Sequence, residues 1–178
     1  MTTTTFDAFL DEELAVAPSA AIDWSVRKTR WLQALDEFYA RVEEFLQPYI
    51  AQDKLRLNMA TTTLEEECVG RYQARSARIQ VGLHELRLEP IGTNLIAAQG
   101  RVDLIGPCGV VKFVLVDAVS EGPRLAVTLR VGDTPEPQAE TRATPVWVWK
   151  IATEAPNIRY LSLEAESFYD AIMQVTQG

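Results

Sequence analysis

His84 is the first candidate for chemistry, because it is the only histidine among 178 residues and imidazole titrates near neutral pH. The apolar residues around it change phase: they occupy odd positions up to Leu83 and even positions from Leu86 onward. A strand changes phase only at a bulge or a turn, and bulges often lie beside active sites. His84 is therefore either a ligand-binding residue or a half-exposed turn histidine, and the second interpretation is favoured.

Arg101 and Asp103 form a second candidate site, because alternation places both on the strand face opposite Val102 and Leu104. Together they could bind a polar ligand. They could also form a surface ion pair worth less than about 1 kcal/mol, which is the commoner arrangement.

Three tryptophans are candidates for contact with a ligand or a partner. Trp147 and Trp149 share one face of a strand, where paired indoles can line a ligand cleft or fill the core beneath a helix. The core is favoured, because the neighbouring valines indicate a buried strand. Trp24, at the start of a helix, is expected to be the exposed aromatic that binds a partner.

The remaining reactive residues do not form a motif. In the run Glu65-Glu66-Glu67, only the first and third side chains can converge on one strand face, so a solvated strand edge is favoured over a cation site. A single histidine excludes the common multi-histidine zinc sites. Cys68 and Cys108 are isolated and need not pair, which is typical of a cytoplasmic protein. The sequence therefore predicts no catalytic residue, no metal and no cofactor.

Composition narrows the choice of partners. The chain has 25 acidic and 17 basic residues, a net charge of −8, which opposes binding to a phosphate backbone and could steer a basic protein partner. No segment approaches the roughly 18 consecutive apolar residues of a membrane span. An apolar fraction of 47% in 178 residues is typical of a single soluble domain spanning residues 1–178.

The sequence predicts three helices, which together with the strands must position these candidate residues. The strongest prediction is an amphipathic helix beginning near Asp23 and ending or kinking at Pro48. Its apolar stripe repeats at steps of four and three, through Trp31, Leu35, Phe38, Val42, Phe45 and Tyr49. A shorter helix is predicted over residues 4–17, with residues 1–18 as a mobile terminal segment. Ser162 is expected to cap the last helix, whose apolar face carries Phe168, Ile172 and Val175.

Short alternating strands fill the chain from residue 54 to residue 161. The cleanest is predicted over residues 124–131, followed by a flexible, proline-rich loop over 132–145 and a strand over 146–152 that is apolar on both faces and therefore central. The sequence predicts an α+β fold: a curved, largely meandering antiparallel sheet of about six to eight strands, with a long amphipathic helix before it and a shorter C-terminal helix after it.

Three functions fit these patterns. The leading hypothesis is a non-enzymatic, acidic, cytoplasmic protein that binds another protein in an immunity-like, inhibitor or accessory role. The alternative is a ligand-binding or catalytic cup between helix and sheet, lined by His84, Arg101, Asp103 and a tryptophan. The third is a structural homo-oligomer assembled through an edge strand or an aromatic patch.

Overall fold

The computed structural model describes residues 23–93, 98–123 and 145–178. The helix predicted over 4–17 and the strand predicted over 124–131 lie outside these residues, as does all but the last residue of the predicted loop over 132–145. The described elements, in chain order, are α1 Trp24–Ile50, β1 Arg56–Glu66, β2 Gly70–Val81, β3 His84–Gly92, β4 Gly100–Gly106, β5 Gly109–Asp117, β6 Trp147–Ala152, β7 Tyr160–Ser162 and α2 Ala165–Gln177.

The strands form one seven-stranded antiparallel sheet in the order β1-β2-β3-β4-β5-β6-β7. Strands that are consecutive in the described chain are therefore neighbours in space, as short connections between antiparallel strands allow. The sheet does not close, so β1 and β7 are its edges in the described part of the chain. This arrangement confirms the predicted α+β class and the meander.

Helix α1 forms where the apolar stripe predicts it. Asp23 Oδ1 accepts hydrogen bonds from the backbone N–H groups of Ser25 and Val26 at 3.0 and 3.2 Å, which satisfies donors that the first turn leaves free. Pro48 lies in the last turn, and the helix ends soon after it, at Ile50.

Both helices pack on the same face of the sheet, and their apolar side chains join one core with the inward residues of the strands. The buried helical residues of this core are Trp31, Ala34, Leu35, Phe38, Tyr39, Val42, Leu46, Phe168, Ala171 and Val175. The helices also contact each other directly, because the Tyr169 hydroxyl donates to the Phe45 carbonyl oxygen at 2.7 Å. Arg41 Nη2 of α1 donates to the carbonyl oxygen of Leu163, just before α2, at 2.7 Å.

The phase change before Leu86 is a turn. Strand β2 ends at Val81 and β3 begins at His84, so Gly82 and Leu83 form a two-residue hairpin connection. Gly82 has a φ of +58°, which glycine adopts without steric cost. Leu83 is 99% exposed at the tip, so the apolar residue that marks the change of phase lies outside the core.

The start of the last helix differs from the prediction. Ser162 does not cap it, because this residue pairs with Lys150 as the last residue of β7. The N-cap is Glu164, whose backbone N–H donates to Ser167 Oγ at 2.9 Å. Ser167, in the first turn, thus accepts a hydrogen bond from the backbone of the N-cap residue, as the third helical residue of a capping box does.

Strand β6 lies between β5 and β7, and it begins at Trp147, one residue later than predicted. Neither of the two helices in the described residues has the length and apolar character needed to cross a membrane.

Candidate functional site

A groove runs along the flank of α1 that faces β6. It consists of two adjoining clefts that share Arg30, and we call them together the α1 groove. The first cleft, about 330 Å³ in volume, is lined by Asp23, Val26, Arg27, Arg30 and Gln99. The second, about 270 Å³, is lined by Arg30, Gln33, Ala34, Glu37, Leu115, Trp147 and Trp149.

The groove borders the N-terminal half of α1, because α2 packs against the other half. Rings of the two helices meet at Phe45–Phe168 and Tyr49–Tyr169, with centroid separations of 5.9 and 5.2 Å. Toward the N-terminus of α1, from Glu37 back to Asp23, the helix borders the clefts instead.

Trp149 forms the floor of the second cleft. It is 5% exposed, and its ring centroid lies 5.9 Å from that of Trp31 and 4.8 Å from that of Phe38. Its Nε1–H donates to the Ala34 carbonyl oxygen at 2.9 Å, so the buried indole nitrogen has a polar partner. Trp149 is therefore part of the core and fixes α1 against the sheet.

Trp147 lies on the same face of β6 as Trp149 but is only half-buried. Across the cleft, the exposed side chains of α1 include Arg30, Gln33 and Glu37, and Gln33 Nε2 donates to Glu37 Oε1 at 3.4 Å. The sheet side of the cleft thus presents the indole of Trp147, and the helix side presents a guanidinium and a carboxylate about two turns apart.

The helix start contributes fixed charge to the first cleft. The Ser25 hydroxyl and the Val26 N–H stabilise the carboxylate of Asp23 and lower its pKa below the ordinary value. The Arg27 guanidinium lies over the Trp24 ring, 5.3 Å from its centroid. Trp24, the predicted partner-binding aromatic, is half-buried at this end of the groove.

The other flank of α1, toward β2, is closed by a cluster that we call the Glu66 network. The Glu66 carboxylate accepts hydrogen bonds from the Thr93 N–H at 2.8 Å, the Thr93 hydroxyl at 3.0 Å and the Tyr72 hydroxyl. Arg27 Nη2 donates to the Thr93 carbonyl oxygen, so the cluster is tied to α1. Burial, followed by the hydrogen bond to Glu66, raises the pKa of Tyr72. These groups join the β1–β2 hairpin to the end of β3.

Gly92 allows this close approach. It has a φ of +130°, and a Cβ placed there would lie 2.8 Å from Glu66 Cδ. Farther along the same flank, Arg75 Nη1 lies 3.3 Å from Asp36 Oδ1. The expectation of a solvated strand edge is thus wrong for Glu66, whose side chain points toward Thr93, although Glu65 is 73% exposed beside Arg71.

The other predicted ligand residues lie away from the groove. His84 is exposed at the start of β3. Arg101 and Asp103 form a two-bond pair, with both donor–acceptor distances 2.6 Å, on the sheet face opposite the buried Val102 and Leu104. Asp103 is only 6% exposed, so the pair is more buried than the predicted surface ion pair, and its hydrogen bonds raise the pKa of Arg101.

Five residues were predicted to contact a ligand, and the structure does not bring them together: only Trp147 and Trp149 line the groove. Sequence reasoning missed Arg30, Gln33 and Glu37 as groove residues. Arg30 and Glu37 lie four and three residues from the buried Ala34, so they border the apolar stripe of α1. This spacing is the signal that could have found them.

Cys68 and Cys108 are both free and exposed. In residues 23–93, 98–123 and 145–178, no three His, Cys, Asp or Glu side chains are grouped so that they could hold a metal ion. Comparison with protein-family models, curated proteins and solved structures found no match to this chain.

Proposed function

We propose that this protein binds another protein through the α1 groove, in an immunity-like, inhibitor or accessory role. The observation that carries the proposal is the joining of two clefts at Arg30, with the half-buried Trp147 on the wall of the second. Tryptophan and arginine are the residue types most enriched at energetic hot spots of protein interfaces. Each cleft can receive one side chain of a partner.

The sizes of the clefts favour a partner protein over a small molecule. Pockets for small molecules typically enclose about 300–1,000 Å³ and bury most of the ligand. The clefts measure about 270 and 330 Å³, so one lies below that range and the other at its lower end. Shallow neighbouring clefts of this kind suit consecutive side chains of a polypeptide.

Charge supports a basic partner at long range. The chain's net charge of −8 attracts positive proteins during diffusional encounter. Within the groove, Glu37 can receive a basic side chain, and Arg30 can receive a carboxylate or a carbonyl oxygen. A cytoplasmic location is part of this proposal and is supported by the two free, exposed cysteines.

A small planar ligand in the second cleft is the alternative, because this cleft lies between helix and sheet and includes both Trp147 and Trp149. Such a ligand would stack on Trp147 and pair with Arg30 or Glu37. Screening small aromatic acids and amines by indole N–H NMR tests it: selective shifts of Trp147 that saturate would support this function, and their absence across the screen would count against it.

The test of protein binding is capture from source lysate on the immobilised full chain, compared with two variants. Trp147→Ala removes the aromatic wall of the groove. Tyr160→Ala is the matched control, because Tyr160 is also a half-buried aromatic on an outer strand but packs with Val114 and Val116 on the other face of the sheet.

We expect a partner that is retained by the wild type and by Tyr160→Ala and is lost by Trp147→Ala, with both variants folded by circular dichroism. If every captured protein is retained equally by all three chains, the groove is not the binding site.

A further inference from the structure

The α1 groove begins where the described part of the chain begins. Asp23 is the first described residue and lines the first cleft, so the 22 residues before it join the fold at one end of the groove. Among them, residues 4–17 are predicted from the sequence to form a helix, and residues 18–22 connect that segment to α1. Connections of this length commonly join two antiparallel helices that pack side by side.

The groove and the predicted helix match in length. The two clefts follow α1 from Asp23 to Glu37, which is a rise of about 21 Å along the helix axis. A helix over residues 4–17 also has a length of about 21 Å. Folding back through residues 18–22 therefore brings residue 17 near Asp23 and residue 4 near Glu37.

The apolar face of the predicted helix contains one acid. At about 100° per residue, one face carries Phe6, Phe9, Leu10 and Leu14. Glu13 lies within the same face, three residues after Leu10 and one before Leu14. A carboxylate in an apolar face loses hydration when that face packs, so it requires a cationic partner. The surface that receives this face must combine apolar side chains with a base.

The α1 groove offers this combination in the required order. Its second cleft supplies the apolar surfaces of Ala34, Leu115, Trp147 and Trp149. Its first cleft supplies Arg27 and the exposed Arg30. In an antiparallel pair centred on residue 20, the middle of the connection, Phe6 lies opposite Ala34 in the second cleft. The same register places Glu13 opposite Arg27 and within one turn of Arg30.

The two segments also carry opposite net charge. Residues 1–22 contain no lysine or arginine, and their four acids are Asp7, Asp11, Glu12 and Glu13. Residues 24–35 of α1 contain no acid, and their bases are Arg27, Lys28 and Arg30. Opposite charge favours contact between the segments. The covalent connection makes this contact intramolecular, with an effective concentration on the order of millimolar.

We propose that residues 4–17 bind in the α1 groove of their own chain, as a helix antiparallel to α1. Phe6 and Phe9 lie against Trp147, and Glu13 pairs with Arg30. The segment is an autoinhibitory contact, because it covers the surface that a partner must reach. This regulatory role rests on the proposed function, whereas occupation of the groove does not.

The test of occupation is paramagnetic NMR of the full chain. Cys68→Ser and Cys108→Ser remove the two free cysteines, and a nitroxide is then attached at Thr4→Cys. The measured quantity is the broadening of the Trp147 indole N–H by the nitroxide, relative to the same sample after reduction of the label. An unchanged chemical shift of the Trp149 indole N–H, which is bonded to the Ala34 carbonyl oxygen, shows that the core is intact.

Two double variants of the labelled chain are compared. Phe6→Asp with Phe9→Asp places charge on the apolar face of the predicted helix. Ala8→Asp with Ala15→Asp is the matched control, because it adds the same charge on the opposite face. We expect broadening in the unsubstituted chain and in the control to be at least about twofold stronger than in the Phe6→Asp, Phe9→Asp variant.

Equal broadening in all three chains, or none in the unsubstituted chain, would overturn the proposal. A mixture of labelled chain with isotopically enriched, unlabelled chain identifies whose segment fills the groove. Broadening within one chain but not in the mixture supports the proposal. Equally strong broadening in the mixture would assign the groove to the segment of a second copy and would also overturn it.

The regulatory role is tested by titrating the captured partner into both double variants. Release of the segment should strengthen binding about two- to fivefold in the Phe6→Asp, Phe9→Asp variant, because the groove is then open in every molecule. The Ala8→Asp, Ala15→Asp control should bind like the wild type. Equal affinities would overturn the autoinhibitory role. If no partner is captured while the broadening follows the expected pattern, the proposed function fails and occupation of the groove stands.

Discussion

The two flanks of α1 are built differently, although they belong to one helix. Toward β2, the Glu66 network and the ion pair between Asp36 and Arg75 close the seam between helix and sheet. Toward β6, Trp149 reaches the core while Trp147 remains half-buried beside two clefts. The first flank is closed by polar contacts between helix and sheet, whereas the second flank leaves an indole, a guanidinium and a carboxylate beside its two clefts. We infer that the first flank serves the fold alone, whereas the second both anchors α1 through Trp149 and carries the proposed binding surface.

The position of α2 explains the difference. The rings of Phe168 and Tyr169 pack against those of Phe45 and Tyr49, in the C-terminal half of the long helix. The N-terminal half has no second helix beside it in the described residues, so its neighbours are β2 on one side and β6 on the other. The β1–β2 hairpin supplies polar side chains that reach across its seam, and β6 supplies two tryptophans.

The largest expected effect is a difference in stability between alanine variants of the two tryptophans of β6. Trp149→Ala removes a buried indole that contacts Trp31 and Phe38, and should destabilise the fold by about 3–5 kcal/mol. Trp147→Ala removes a half-buried side chain and should cost only about 1 kcal/mol. Urea unfolding followed by circular dichroism measures both. Equal losses would mean that the groove wall is as much a part of the core as its floor.

A smaller effect is expected on the closed flank. Glu66→Ala leaves the Thr93 N–H and the Tyr72 hydroxyl without their acceptor, and should cost about 2–3 kcal/mol. The neighbouring variant Glu65→Ala is the matched control: it breaks only an exposed pair with Arg71 and should cost less than about 1 kcal/mol. Urea unfolding that ranks Glu65→Ala as the more damaging variant would refute the structural role assigned to Glu66.

The smallest effect concerns the helix start beside the first cleft. The pKa of Asp23 is lowered in the folded chain from an ordinary value of 3.8, so its cap is fully effective above that pH and is lost as pH falls through the lowered pKa. We expect the amide N–H groups of Ser25 and Val26 to lose protection in that acid range. Asp23→Asn should keep the cap and abolish this pH dependence, because asparagine accepts the same bonds without titrating.

The sequence was sufficient for features that depend on local pattern. The stripe from Trp31 to Tyr49 predicted α1, and alternation with short turns predicted the antiparallel meander. Local pattern failed at the start of α2: Ser162, the predicted cap, pairs with Lys150 in β7, and the N-cap is Glu164.

The site could not be predicted in the same way, because it depends on contacts between distant segments. Glu66 meets Thr93, 27 residues away in sequence, and no alternation rule connects them. Arg30 became a groove residue only because α2 stops short of it and Trp147 lies across from it. Such placements follow from how whole elements pack, which side-chain periodicity does not specify.

The central claim is that the partner binds at the α1 groove and not at the closed flank. The most direct test is to reverse the charge of one arginine on each flank and to measure the affinity of each variant for the captured partner by calorimetry. Arg30→Glu changes the exposed charge shared by the two clefts. Arg75→Glu makes the same change on the closed flank, where Arg75 lies 3.3 Å from Asp36. We predict that Arg30→Glu weakens binding about tenfold or more while Arg75→Glu leaves the Kd within about twofold of the wild type. Equal affinities for the two variants, or a larger loss for Arg75→Glu, would contradict the assignment of the α1 groove as the binding surface.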